Sequence, residues 1–118
     1  SVGVESDLVN SYAWDTAIVF IQAMGNGNEN YANKTSVNSS LANTGTTGDE
    51  VCNIHDMASN CREWNTEYST NAIRRYAYPC VSRGGIYDGS GNYTAFRSSR
   101  LATVKDTDVG FRPLLYVK

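Results

Sequence analysis

Asn53-Ile-His-Asp-Met-Ala-Ser-Asn-Cys-Arg-Glu-Trp64 is the stretch whose reading decides the fold of this 118-residue chain. Apolar and polar residues alternate over 51–54 and again over 62–64, which suits short strands and nothing longer. The same brief alternation returns over 80–87 and 109–117. The last run, Gly110-Phe-Arg-Pro-Leu-Leu-Tyr-Val-Lys118, is the best strand candidate, and Pro113 marks it as an edge or a bulge. Asp88-Gly-Ser-Gly-Asn92 and Lys105-Asp-Thr-Asp108 carry turn chemistry between these runs. His55 is the only histidine. Beside Asp56 it reads as a structural or surface residue, and a single histidine supports neither a Cys–His metal cluster nor a Ser–His–Asp triad.

Upstream, residues 1–9 read as a strand or loop leading into a helix over about 12–24. Asn10 or Ser11 can cap it, and Gly25 closes it. Ala13, Ala17, Phe20 and Met24 fall on one helical stripe, with Trp14, Ile18 and Ile21 beside it. Trp14, Phe20 and Trp64 are expected in the core. Residues 25–48 are mostly Asn, Gly, Ser and Thr, hence a long surface excursion of the functional or mobile kind. One helix, several short strands and long loops predict a single α+β domain over 1–118.

Composition narrows the function classes. Ten basic residues against twelve acidic ones give a net charge of −2, which excludes a strongly basic nucleic-acid surface and a polybasic membrane anchor. The uncharged run 16–28 is interrupted by Gln22, Gly25, Asn26 and Gly27, so no membrane insertion is expected there. Charged residues are only 19% of the chain, and 12 Asn, 12 Ser and 10 Thr fill the polar share. Together with 8 Tyr and 10 Gly, this is the residue palette of adaptable binding loops. Sequons stand at Asn33, Asn38 and Asn92. Cys52, Cys61 and Cys80 leave an odd thiol under any pairing, and their spacing is not that of a zinc ribbon. One disulfide with a free thiol, or three reduced thiols, are both compatible with it.

Three blocks in order carry a family resemblance. The run 53–64 resembles the N-x-Y-D-M-x-G-N-V-x-E-W block of the formylglycine-generating enzyme (sulfatase-modifying factor) domain. Arg83-Gly-Gly-Ile-Tyr87 is similar to its R-G-G-S-[WY], and Ser98-Ser-Arg100 with Gly110-Phe-Arg112 to its S-R…G-F-R ending. The resemblance covers roughly the whole chain and implies an irregular C-type-lectin-like fold. It makes Asp56, Asn60, Glu63 and Trp64 a scaffold knot. It pairs Arg83 and Arg112 with internal carboxylates, and Gly84 and Gly85 permit close backbone approach. It also implies a structural calcium at Glu63 with the backbone of Ser59 and Cys61; bonds from backbone N–H groups or an arginine to Glu63 are the alternative. No other cofactor is implied.

The catalytic branch of that family binds copper through two cysteines after the R-G-G-S-Y block. Here those positions are Gly89 and Thr94, neither of which can be a thiolate, so the chain is not expected to be an enzyme. It is similar instead to ligand-binding variable proteins of phages and bacteria, diversified by retroelements. Fixed blocks (78–80, 83–85, 93–95 and 110–116) alternate with chemically mixed positions: Ser82, Ile86, Asp88, Gly89, Ser90, Gly91, Phe96, Ser98, Ser99, Arg100 and Leu101. These eleven are the expected binding face, clustered on one exposed surface with Ile86, Phe96 and Leu101 as anchors. The expected role is a receptor-binding domain at the C-terminal end of a longer phage-tail or bacterial-surface protein. Its location would be extracellular, on a cell surface or virion, and its partner a protein or glycan on a target cell. A calcium-assisted lectin using Tyr87 or Tyr93 as an aromatic platform, and a ligand-free structural surface protein, are the alternatives.

Overall fold

A computed structural model describes residues 3–89 and 91–117. The chain opens with β1 (Val4–Leu8) and α1 (Ser11–Ala23), then makes a 3-10 turn at Tyr31–Asn33. There follow β2 (Glu50–Val51), β3 (Ile54–His55), β4 (Arg62–Tyr68) and β5 (Cys80–Arg83). β6 (Arg97–Arg100), β7 (Val109–Phe111) and β8 (Pro113–Val117) complete it. One helix packed on small sheets makes this an α+β fold. The main sheet has four strands in the order β6-β5-β4-β7, with β4 and β7 parallel and the other neighbours antiparallel. A two-stranded ribbon pairs β1 with β8, and β2 and β3 form a hairpin. That hairpin turns through Cys52 and Asn53, both at positive φ, the conformation of a tight two-residue turn.

Local chemistry explains α1. Asn10 is extended and its side chain accepts from the Ala13 N–H at 2.8 Å, while Gly25 follows the last turn at φ +66°. The buried face is Trp14, Ile18 and Ile21, which join Val9, Tyr31 and Met57 in the core. The expected core position of Phe20 is corrected: it is 50% exposed, and Met24 is exposed too. The two apolar stripes lie side by side on α1, and the larger Trp14 sets which one turns inward. Its Nε1 donates to the Thr94 carbonyl at 3.0 Å, and the Arg83 and Arg112 guanidiniums approach its ring at 6.0 and 5.9 Å.

Strand register sorts the rest. Glu63 opposes Arg83 and Asn65 opposes Val81, and all four side chains are buried on the α1 side of the sheet. Trp64 alternates to the other side in register with Ser82 and Phe111. It is therefore half-buried and outside the core cluster around Trp14, a second correction.

Candidate binding face

The resembling blocks form an internal frame. Asp56 accepts from the Gly45 N–H and the Thr47 hydroxyl, and Asn60 bonds both the N–H and the carbonyl of Ala42. These contacts tie the polar excursion before β2 down onto the run 53–64. Arg83 reaches Asp15 at 2.6 Å and Ser11 at 3.0 Å, while Arg112 grips Glu63 through two bonds of 2.7 and 3.0 Å. Gly84 and Gly85 are fixed by space. A Cβ on Gly85 would lie 1.8 Å from the Ala58 carbonyl oxygen, and one on Gly84 2.9 Å from the Trp14 ring. Only a bare backbone passes there, and it donates from Gly85 N–H to the Met57 carbonyl.

Asp49 is the member of this frame that sequence reasoning missed. Its buried carboxylate accepts from Lys34 at 2.6 Å, from the Ala58 N–H at 2.9 Å and from the Tyr31 hydroxyl. Burial, then the Asp49 charge, pushes the Tyr31 phenol well above the ordinary tyrosine range. A single Asp in a stretch of Gly, Thr and Asn carries no local sign of such a role.

The eleven candidate residues divide. Asp88, Gly89, Gly91 and Leu101 are exposed, and Phe96, Ser98, Ser99 and Arg100 are half-buried. Ser90 lies outside the described residues. Ser82 and Ile86 are buried, which corrects their assignment to an exposed face. Ser82 sits on the inner strand β5 between Trp64 and Ser98 in register. Ile86, 5% exposed, follows the two glycines into the interior, where the Gly85 and Tyr87 N–H groups bond the Met57 and Asn60 carbonyls.

The remaining positions fall into two groups along the edge strand β6. At one end are Asp88, Gly89 and Gly91, both glycines at positive φ, with Phe96 packed edge-on against Tyr93 at 5.6 Å. At the other, Ser98, Ser99, Arg100 and Leu101 line one side of a shallow groove of about 200 Å³, with Arg74 and Tyr78 opposite. Arg100 is no free contact residue. It bridges Asp106 at 2.9 Å and Asp108 at 3.2 Å, and Arg62 shares Asp108. Together they pin the segment between β6 and β7. The Ser99 hydroxyl bonds that of Ser69.

No group of three or more His, Cys, Asp or Glu that could hold a metal occurs among the described residues. At the expected calcium position the Arg112 guanidinium stands against the Glu63 carboxylate where a cation would lie. Both Glu63 oxygens thus take the arginine bonds given above as the alternative to calcium. Burial nevertheless pushes the Glu63 carboxyl up from its ordinary value, outweighing the opposite pull of Arg112. At the copper positions, Gly89 is on the surface and the Thr94 hydroxyl is buried against the Lys34 carbonyl. All three cysteines are free thiols.

No family model matches the chain, and neither a curated protein nor a solved structure matches it.

Proposed function

We propose that this domain is a non-catalytic ligand-binding module of irregular C-type-lectin-like architecture. It would be displayed extracellularly on a virion or cell surface, with a binding surface open to sequence change. One observation carries this reading. Asp56, Glu63, Arg83 and Arg112 of the resembling blocks are engaged with one another, with α1 or with backbone, while Asp88, Gly89, Gly91 and Leu101 between the blocks are exposed. A frame closed on itself tolerates substitution at such positions, because exposed side chains away from special contacts change stability by only about 0.5 kcal/mol. The non-catalytic assignment rests on Gly89 and Thr94, which supply no thiolate.

Two experiments test it. A library randomised at Ser98 and Leu101 should fold in most members, judged by cooperative melting. A library that mostly fails to fold overturns the tolerant-surface reading. Sequencing the DNA downstream should find a near-copy of the segment encoding 78–116 together with a reverse transcriptase. Their absence would remove retroelement diversification from the proposal.

A further inference from the structure

Five of the seven arginines meet carboxylates: Arg62, Arg83, Arg97, Arg100 and Arg112. Among the described residues no carboxylate pairs with the other two, Arg74 and Arg75. They are adjacent on an exposed loop and stack on their own neighbours, Arg74 on Tyr78 at 4.7 Å and Arg75 on Tyr76 at 4.8 Å. The loop also holds Ile73 out at 91% exposure and Tyr76 at 77%. Two large apolar side chains left in water beside two cations that meet no carboxylate gain nothing inside the fold.

The loop is nonetheless built. Its base is closed by Ser69 N–H donating to the Pro79 carbonyl at 2.8 Å. The Asn71 side chain accepts from the N–H groups of Ile73 and Arg74, both at 3.0 Å. Arg75 N–H bonds the Asn71 carbonyl, Tyr78 N–H the Arg74 carbonyl, and the Tyr68 hydroxyl the Arg75 carbonyl. A surface ordered before its partner arrives avoids the entropic cost of ordering on binding.

We propose that the 70–78 loop, with the groove it shares with Ser98 and Leu101, docks an acidic segment of a partner protein. Arg74 and Arg75 supply guanidinium donors for carboxylates, and the Tyr rings hold those donors in place. Ile73 and Tyr76 supply the apolar contact that Tyr- and Arg-rich interface centres use. A protein fits better than a sulfated polysaccharide, because a polyanion would satisfy the arginines and leave Ile73 in water. The inference rests on the binding reading above and extends it from Ser98 and Leu101 to Ile73, Arg74, Arg75 and Tyr76.

The probe is a fluorescein-labelled peptide of alternating Glu and Tyr, followed by anisotropy, against a Gln–Tyr peptide and labelled heparin. The Glu–Tyr peptide should bind at least about tenfold more tightly than the Gln–Tyr peptide, and its binding should weaken as salt rises past physiological strength. Arg74→Ser with Arg75→Ser should weaken it about tenfold or more with an unchanged melting temperature, while Lys105→Ser should have no effect. Equal binding of the two peptides, indifference to the double variant, tighter binding of heparin, or no binding of the Glu–Tyr peptide would each overturn the proposal. None of these outcomes bears on the library or the downstream repeat, so failure here is separable from failure of the broader reading.

Discussion

Arg112 and Glu63, 49 positions apart, face each other through two N–H···O bonds, the carboxylate buried and the guanidinium half-buried. The Arg112 guanidinium also donates to the His55 carbonyl and lies over Trp14, so one side chain joins β3, β4 and the helix. Removing the guanidinium leaves the buried Glu63 carboxylate uncompensated, which costs about 3–5 kcal/mol. Arg112→Ala should destabilise the domain by that amount near pH 7. Because burial raises the Glu63 carboxyl, its contribution is full below the ordinary Glu value and declines as pH rises through the raised one. The penalty of Arg112→Ala should therefore shrink at about pH 4, where the carboxyl left behind is neutral. Urea melts at both pH values check this; an equal loss at each would refute it.

Tyr31 gives the opposite end of the pH range. Its phenol is raised above 10.0, mainly by burial and then by Asp49. Below the ordinary value both folded and unfolded chains hold the proton. Above it the unfolded chain releases the proton first, and stability falls with rising pH. Thermal melts from about pH 9 to 11 should show this decline, and Tyr31→Phe should flatten it. A variant with an unchanged alkaline slope would show that another group is responsible.

Two glycines should respond differently to the same substitution. Gly85→Ala would force a methyl into the Ala58 carbonyl and should cost about 3 kcal/mol or more, or prevent folding. Gly89→Ala meets nothing within 4 Å and carries only the strain of φ +65°, about 1 kcal/mol. Chemical denaturation of both variants gives the comparison. Similar losses would mean that conformation and not contact governs the Gly-Gly block.

The aromatic side chains should rank by burial. Trp14→Ala should cost about 3–5 kcal/mol, Phe20→Ala below about 1.5, with Trp64→Ala between. Equal losses at Trp14 and Phe20 would contradict the phase of α1.

How much was legible follows from the range of each signal. The Asn10 cap and the Gly25 stop act within one turn, so the helix could be read to within a residue. The helix phase could not, because Ala13, Ala17 and Phe20 make as plausible a stripe as Trp14, Ile18 and Ile21 until the sheet is in place. β6 has no apolar alternation in Arg97-Ser-Ser-Arg100 and was invisible as a strand. The burial of Ser82 and Ile86 depends on β4 and on the 57–60 backbone, distant in sequence. Ile73-Arg-Arg-Tyr-Ala-Tyr78 did carry a readable composition, but exposure and the missing carboxylates emerge only from the fold.

The β1–β8 ribbon determines how the domain would answer a pull. Val4 lies opposite Val117, so force applied outward at these two positions acts on the same end of five antiparallel residue pairs. Such loading opens hydrogen bonds in succession, like a zipper, each resisting with a net worth of only about 1 kcal/mol. Shear would instead have to break them together. Under tension the ribbon should peel away at low force as far as Val9, whose N–H bonds the Arg112 carbonyl. There the load meets Arg112 and its contacts with Glu63 and Trp14. The β1–β8 ribbon should thus yield first under such a load, while the sheet that bears the exposed positions stays folded.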